Sequence, residues 1–392
     1  MADSVLGNSA LGDLVSNDQN LALRRRWWWT WAQVEGLGMQ RLQLIERNFV
    51  DLAVAWRAPA AALMALPGIG PELVASRDQL ATRLGINGVP LECPARLLLP
   101  TDPALPPSLS CLQRPPLELH WRGRGSLWGH LRRRRAVAVI GTRHPSPHGL
   151  EWAKKLGIAL AQAGWPVLSG LAEGIDGAVH QGCLAAEGVP VGVLATSLDR
   201  VYPRHHSQLQ QEVGKRGLLI TEQRPGAAVA KGHFAARNRL LVALAEAVVV
   251  VECPNGSGAL HGARLAWAEQ LPLWVVPADT NRISAKGSNS LLGQGATPLL
   301  DPADLLSSLG HGPLKRFTPL FQETDGNTNH KLNNDPLLDA LGAGASLEQL
   351  AQAMAQPLPQ LAEKLLQLEL AGLVEVAPDL SWRRRQNGLR FA

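Results

Sequence analysis

The sequence has few cysteines and few charged residues, and it has no long hydrophobic run. Its four cysteines lie far apart without a CxxC pair, which predicts neither a disulfide framework nor a zinc site and favours a reducing cytoplasm. No segment reaches the roughly 18 consecutive apolar residues of a membrane helix. The N-terminal residues are acidic and mixed rather than basic and then apolar, so no signal peptide is predicted. We therefore expect a cytoplasmic protein without a membrane span.

The composition is that of a globular chain with more than one domain. Its 392 residues, 46% of them hydrophobic and 18% charged, are enough for two or three domains with their own cores. The formal net charge of +5 permits a polyanionic partner without requiring one. Short basic runs such as Arg132–Arg135 are usually solvated surfaces, so they need structural context before they indicate a partner.

The middle of the chain alternates short apolar runs with helical patterns of 10–15 residues. Runs of this kind are typical of parallel strands that are covered on both faces by crossover helices. We therefore predict a doubly wound, mainly parallel, Rossmann-like sheet. The predicted strands are AVAVIG (136–141), PVLSG (166–170), PVGVLA (190–195), GLLITE (217–222), AVVVVE (247–252) and LWVVPA (273–278).

Four regions are predicted along the chain. They are a small helical domain at 25–85, the Rossmann-like domain with an extended leading segment at 86–308, a linker at 309–333, and a winged-helix-like domain at 334–392. The candidate recognition helix of the last domain, about 358–370, carries Glu363, Lys364 and Glu369. This charge balance suits a phosphate surface poorly and favours protein contact or weak DNA contact.

The helical region contains a turn that resembles the helix-hairpin-helix motif, LPGIGPELVA (66–75). Gly68 and Gly70 would let the backbone approach a partner closely, and the amides that open the next helix could face a DNA phosphate. A tight turn between helices without a ligand explains the same residues. The nearby WWWTW (27–31) is expected to pack against the following domain rather than to serve as a stacking platform.

The loops at the carboxyl ends of the predicted strands repeat glycine, small hydroxyl residues, arginine and lysine, a composition that suits a bound phosphate. The first turn, GTRHPS, lacks the GxGxxG pattern of a dinucleotide cofactor, and no GxSxG nucleophile motif is present. The two histidines of HPSPH (144–148) are four residues apart, but two prolines keep them off a regular helix, and YPRHH (202–206) is interpreted as a turn, so no metal site is predicted. Asp176 is expected to cap a helix rather than to act as a general base.

Read jointly, these loops resemble the DNA-processing protein A (DprA, also called Smf) family. The motifs are AVAVIGTRHPS, SGLAEGIDGAVHQG, the LDRVYP turn, HFAARNRLLVALAEAVVVVE, SGALHGARLAWAEQ and GSNSLLGQGA, within roughly residues 60–308. The resemblance implies a Rossmann-like domain that binds single-stranded DNA, forms a homodimer and helps to load RecA recombinase during natural transformation. It implies a binding and loading protein rather than an enzyme, with neither a cofactor nor a metal.

The resemblance also implies a DNA-binding site. In it, Arg143 would contact phosphate with Gly141 clearing space, Lys231 would contact DNA, and Phe234 would stack on a base. Of the two arginines Arg237 and Arg239, one is expected to be structural. The implied site residues are Gly141, Thr142, Arg143, Ser169, Gly170, Lys231, Phe234, Arg237, Asn238, Arg239, Ser257, Gly258 and Asn289.

Some positions depart from the family pattern. Ala235 replaces a proline, Ala236 stands in the place of a further basic residue, Ala259 replaces a serine and Gly262 a threonine, which predicts weaker DNA binding. Two other functions remain open. One is a nucleotide N-glycoside hydrolase of the same fold group, although NGSGALHGA (255–263) lacks the glutamate of the GGxGTxxE signature. The other is a protein-binding scaffold.

Overall fold

The computed structural model describes residues 20–85, 89–314, 336–341, 344–370, 373–377 and 381–384. The described residues up to 314 form one compact unit, and those from 336 onward form a second. The predicted boundary at 85 therefore lies inside the first unit. Most of the predicted linker, from 315 onward, lies outside the described residues. The predicted domain limits stay predictions.

The N-terminal part of the first unit is helical. Its helices are α1 (20–32), α2 (Met39–Asn48), α3 (Leu52–Arg57), α4 (Ala60–Met64) and α5 (Pro71–Leu84). The tryptophans of WWWTW lie on α1 and are buried, as expected for packing. Trp31 meets Trp56 edge to face with ring centroids 5.0 Å apart and donates to the Leu52 carbonyl at 2.9 Å. These rings form the core of the helical region and leave no platform on which bases could stack.

Two hairpins of this region have the same geometry. Gly36 and Gly68 have φ of 79° and 77°, in the left-handed region that favours glycine. Two residues later, Gly38 and Gly70 precede α2 and α5 with nearly equal angles, φ −100° and ψ 171° against φ −99° and ψ 174°. The apolar residue between the two glycines is buried in each hairpin. The helix-hairpin-helix-like turn predicted once is therefore present twice.

A nine-stranded sheet forms the centre of the first unit as described. Its strands are β1 (Leu97–Leu98), β2 (Leu119–Gly123), β3 (Val137–Ile140), β4 (Val167–Ser169), β5 (Pro190–Val193), β6 (Leu218–Thr221), β7 (Ala247–Val250), β8 (Leu273–Val275) and β9 (Thr297–Pro298). Their order is β1-β2-β6-β5-β4-β3-β7-β8-β9. β2 pairs antiparallel with both β1 and β6, and every other neighbouring pair is parallel. This topology confirms the predicted doubly wound, Rossmann-like class.

Helices cover the sheet and connect its strands. They are α6 (Pro107–Ser110), α7 (Leu127–Arg132), α8 (Pro147–Gln162), α9 (Ile175–Ala185), α10 (Ser207–Arg216), α11 (Lys231–Ala243), α12 (Gly258–Ala268), α13 (Lys286–Gly293) and α14 (Pro302–Leu309). In β3, Ala138 and Ile140 pack in one apolar cluster, while Val137 and Val139 pack in another. Because both faces of the sheet are covered, β3 and β7 are apolar at every position.

The second unit contains α15 (Pro336–Ala340), α16 (Leu347–Met354), α17 (Leu358–Leu370) and the antiparallel strands β10 (Val374–Val376) and β11 (Trp382–Arg384). Ser346 caps α16 through a reciprocal pair of hydrogen bonds with Gln349. Leu350, Leu365 and Val374 are buried in its small core. Helices followed by a two-stranded sheet are the predicted element order, and the winged-helix assignment itself stays a prediction. In the described parts of both units, no helix is long and apolar enough to cross a membrane.

Candidate nucleic-acid interface

The carboxyl ends of β3 and β7 flank the point where the winding of the sheet reverses. From β3 the sheet extends through β4, β5 and β6 on one side, and the chain then crosses to the other side of β3 to form β7. Loops that leave two such strands diverge and open a crevice, which is where open α/β sheets bind ligands. A cavity of about 420 Å³, called the cleft below, lies between the loop after β3, the loop after β7 and the start of α11.

The structure brings most of the predicted site residues together in this cleft. Those that line it are Gly141, Thr142, Arg143, Lys231, Phe234, Arg237, Asn238, Ser257 and Gly258. Those that do not line it are Ser169, Gly170, Arg239 and Asn289. Gly68 and Gly70 border a separate cavity in the helical region.

Arg143 and Lys231 supply the accessible positive charge of the cleft. Both side chains are exposed, and neither forms an ion pair with another described residue. Lys231 is the first residue of α11, whose N-cap residue Ala230 makes no side-chain cap hydrogen bond. The Lys231 and Gly232 amides that open the helix and the helix dipole add partial positive charge beside the lysine. A phosphate group is the ligand that such a combination holds best.

Phe234 supplies an apolar surface next to these charges. It lies in the first turn of α11 and is half-buried. The guanidinium carbon of Arg143 lies 4.7 Å from the centroid of its ring, within the range of a cation–π contact. Proteins that bind single strands without sequence preference combine positive charge with aromatic rings.

Arg237 lies beneath the cleft and is held by the protein itself. Only 6% of its surface is exposed, and its guanidinium donates to the Val193 carbonyl and lies 3.8 Å from the Asp176 carboxylate. An added Cβ on Gly170 would overlap this guanidinium, so Gly170 provides the space that Arg237 occupies. Arg237 therefore fixes the loops of the sheet from below, and its guanidinium is not presented to a strand in the cleft.

Asp176 does not cap its helix, contrary to the prediction. Gly174 is the N-cap residue of α9, and the Asp176 carboxylate accepts from the Gly170 amide at 3.2 Å instead. Burial raises the pKa of this carboxyl above its ordinary value, although Arg237 and the Gly170 amide oppose the effect. Asp176 thus belongs to the same buried network as Arg237.

Arg239 is also occupied by protein partners. Its guanidinium forms two hydrogen bonds with the Glu222 carboxylate, at 2.6 and 2.7 Å, and donates to the Arg114 carbonyl at 2.9 Å. Two-point pairing of this kind fixes the side chain strongly. Sequence reasoning expected one structural arginine in the RNR triplet, and in this structure both arginines hold the fold.

Two further predicted residues position loops rather than face the cleft, and Gly141 lines the cleft while it packs on α9. The buried Ser169 hydroxyl donates to the Val139 carbonyl at 2.6 Å, which joins β4 to β3. The Asn289 side chain donates to the Ala278 carbonyl at 2.9 Å and accepts from the Ala278 amide at 3.1 Å. Gly141 was expected to clear space for phosphate. An added Cβ there would overlap the Ile175 side chain, so close packing on α9 requires this glycine, and its role toward phosphate stays a prediction.

The opposite wall of the cleft is built from α12 and its cap. The Ser257 hydroxyl caps α12 by accepting from the Ala259 amide at 3.2 Å. Asn238 donates to the Gly258 carbonyl at 3.0 Å and so joins α11 to α12. The buried Thr142 accepts from the amide two residues later, which shapes the turn that carries Arg143. These polar groups set the width of the cleft.

Comparison with known proteins identifies the family. Residues 96–310 match the family model described as DNA recombination-mediator protein A. The chain belongs to this DprA/Smf family. It is 30% identical to the protein Smf of Synechocystis over 92% of this chain and 98% of that one, and 29% identical to DprA of Bacillus subtilis over 72% and 88%. The crystal structure of DprA from Streptococcus pneumoniae has a similar fold, with a TM-score of 0.60 and 24% identity over 72% of this chain and 97% of that one.

The residues that depart from the DprA/Smf pattern differ in how exposed they are and in whether they line the cleft. Ala235 and Ala236 are exposed on α11, and Ala235 lines the cleft. Gly262 is buried, and a Cβ added to it would lie 2.7 Å from the Ile140 side chain. Gly262 is not among the residues that line the cleft, and the weaker binding predicted from this departure stays a prediction.

Sequence reasoning missed three features of this DprA/Smf structure. Tyr202, in the LDRVYP turn, meets Phe234 edge to face at 5.1 Å. The Glu252 carboxylate accepts from the Ser146 hydroxyl at 2.7 Å and so fixes the loop after β3. The first hairpin, at Gly36, had a signal in the sequence, because GLG precedes α2 just as GIG precedes α5.

Proposed function

We propose that the cleft binds single-stranded DNA and that the protein mediates loading of RecA recombinase onto such strands. The observation that supports the proposal is the juxtaposition of exposed Arg143 and Lys231 with the Phe234 ring at the switch point of the sheet. The two cations and the first turn of α11 bind consecutive phosphates, and Phe234 stacks on a base between them. Membership of the recombination-mediator family supports the RecA step.

Single strands fit this cleft better than a duplex does. Stacking on Phe234 needs a base whose face is free, and paired bases within a duplex are already stacked on their neighbours. The contacts expected on phosphate and on a ring face do not depend on base identity. The proposal therefore predicts binding with little sequence preference.

The test compares single-stranded and double-stranded oligonucleotides of equal length by fluorescence anisotropy at about 50 mM salt, where phosphate contacts contribute strongly. Wild-type protein should prefer the single strand, and Arg143→Ala with Lys231→Ala should weaken its binding. Arg132→Ala, an exposed arginine at the end of α7, is the matched control. Equal binding of wild type and double variant would refute the proposed site.

The RecA step has its own readout. RecA hydrolyses ATP when it assembles on single strands, so its ATPase rate on strands coated with single-strand-binding protein reports loading. We expect a faster rise with the wild-type protein than with the Arg143→Ala, Lys231→Ala variant. If the RecA ATPase rate were the same with both proteins, mediation of RecA loading would be refuted, whereas the proposed DNA binding would not be affected. The proposed interaction with RecA supports a cytoplasmic location.

A homodimer is also part of the proposal. Leu300 follows the edge strand β9 and is 68% exposed, and Ile283 is 74% exposed. Exposed apolar side chains next to a sheet edge are the surface that a second copy could cover. Light scattering should give twice the chain mass, and a monomer at all concentrations would contradict this part.

The duplicated hairpins support a second DNA contact at Gly68 and Gly70. Arg41 borders the cavities of both hairpins and donates to the Gly36 carbonyl at 2.9 Å. We propose that this surface touches the phosphate backbone of nucleic acid outside the cleft. Arg41→Ala should weaken binding of a long strand but not of a short one that fills only the cleft. If Arg41→Ala weakened binding of the long and the short strand equally, the second DNA contact would be contradicted.

The hydrolase alternative receives little support from the cleft. Among the residues that line the cleft, the one carboxylate is Asp176, which is buried and adjacent to Arg237. A general base for N-glycoside hydrolysis needs an accessible carboxylate near the sugar. Release of free base from a nucleoside monophosphate would favour this alternative.

A further inference from the structure

The surface beside the cleft carries a second aromatic ring. Tyr202 lies in the loop after β5, and its ring meets that of Phe234 with centroids 5.1 Å apart and planes at 63°. The guanidinium of Arg143 already lies over the Phe234 ring. Tyr202 is 43% exposed, so a large part of its ring is open to solvent. The chain contains one tyrosine, and it lies at this position.

The backbone on both sides of Tyr202 is held by hydrogen bonds. Before it, the Thr196 hydroxyl donates to the Arg200 carbonyl at 3.1 Å. After it, the buried His206 ring donates to the Leu171 carbonyl at 3.0 Å. Because the loop is fixed in this way, little conformational entropy is lost when the ring contacts a partner. The exposed ring is thus preorganised.

We propose that Tyr202 is a second stacking surface for single-stranded DNA, on which the base next to the one at Phe234 stacks. The proposal rests on the proposed function of the cleft. Proteins that bind single strands without sequence preference stack successive bases on neighbouring aromatic side chains. Two adjacent rings require two unstacked bases, which a duplex does not offer. Tyr202 therefore raises the preference for single strands as well as the affinity.

Three substitutions separate stacking from packing against Phe234. Tyr202→Phe keeps the ring and should bind an oligothymidylate as the wild type does. Tyr202→Ala removes the ring and should weaken binding roughly 5- to 150-fold, the range for loss of one stacked base. Tyr202→Leu keeps apolar contact with Phe234 without an aromatic face, and it should bind as weakly as the alanine variant. Affinity for duplex DNA should change far less in all three.

Photo-crosslinking supplies a readout that does not depend on stability. An oligothymidylate substituted with 5-iodouracil is irradiated with the full-length wild-type protein, and the attached peptide is mapped by mass spectrometry. The expected attachment sites are Phe234 and Tyr202. A crosslink at Phe234 without one at Tyr202, from any substituted position along the strand, would contradict the proposal.

The binding outcomes also distinguish this proposal from the proposed function. If Tyr202→Leu binds like the wild type while Tyr202→Ala does not, the ring only supports Phe234, and the stacking proposal is wrong. If all Tyr202 variants bind normally while Arg143→Ala and Lys231→Ala bind weakly, the cleft binds DNA without Tyr202. If the wild type itself fails to bind single strands, the function of the cleft is wrong as well.

Discussion

Burial decides what each arginine near the cleft does. Arg143 is exposed over Phe234, whereas Arg237 is buried against Val193 and Asp176. A buried guanidinium cannot leave its partners for a phosphate without leaving a buried carboxyl unpaired, which costs several kcal/mol. Arg143 is therefore free to bind a ligand, and Arg237 keeps the loops in place.

Arg237→Ala should lower the free energy of unfolding by about 3–5 kcal/mol, because it leaves the Asp176 carboxyl buried without its ionic partner. Urea denaturation measures this change. Arg143→Ala is the matched control and should unfold like the wild type within about 0.5 kcal/mol, since surface substitutions rarely do more. A stable Arg237→Ala variant that fails to bind DNA would instead assign Arg237 to the ligand.

His180 predicts a specific dependence of stability on pH. It is fully buried, and burial lowers its pKa from 6.5 to about 3. Between these values the unfolded chain binds a proton that the folded chain excludes. The stabilising contribution is therefore complete above pH 6.5 and is lost as the pH falls, by about 1.4 kcal/mol per pH unit.

His180→Asn should remove this dependence. The loss of unfolding free energy between pH 6.5 and 4.5 should be about 2 kcal/mol smaller in the variant than in the wild type, since the unfolded histidine is half protonated at pH 6.5 and almost fully protonated at pH 4.5. Urea denaturation at the two pH values checks the difference. Equal losses in both proteins would show that His180 is protonated in the folded state.

Among the helices, the crossing of α8 and α9 sets the position of the cleft floor. A Cβ added to Gly157 would overlap the Val179 carbonyl, and one added to Gly182 would overlap the Lys154 carbonyl. The two helix backbones therefore approach each other closely at glycines. Because α9 begins with Ile175 against the loop after β3, a shift of α9 would move that loop.

Gly182→Ala should destabilise the protein by about 1–3 kcal/mol through overpacking against the backbone of α8. Gly129→Ala on α7 is the control, because a Cβ there meets no atom within 4 Å and it should be neutral or slightly stabilising. Thermal unfolding of the two variants compares them directly. Equal melting temperatures would contradict the close crossing.

The positions of the strands could be predicted from the sequence, whereas several contacts of the site residues could not. The solid apolar runs that form β3 and β7 follow from burial on both faces, so periodicity was sufficient to find them. The partners of Arg237 could not be predicted, because Asp176 on α9 and Val193 at the end of β5 approach α11 only once the sheet and its helices have assembled. The close packing of Gly141 on Ile175 could not be predicted for the same reason, since Ile175 lies on another element.

In the whole first unit, the helical region supports the loop that leads to Lys231. Arg224 on this loop forms hydrogen bonds with the buried Glu118 carboxylate, one of them at 2.9 Å, and with the Ala32 carbonyl of α1. Its guanidinium also lies 5.8 Å from the centroid of the Trp29 ring. The tryptophan-rich helix thus contributes to the cleft without touching a ligand, by fixing the segment before α11.

The salt dependence of single-strand binding tests the central claim most directly. Each phosphate contact adds about 0.7 to the steepness of the decline of log affinity with log salt concentration. Removing two contacts in Arg143→Ala, Lys231→Ala should therefore make the slope shallower by about 1.4 relative to the wild type. Equal slopes and equal affinities for the two proteins would show that these side chains do not hold the DNA backbone and would contradict the account.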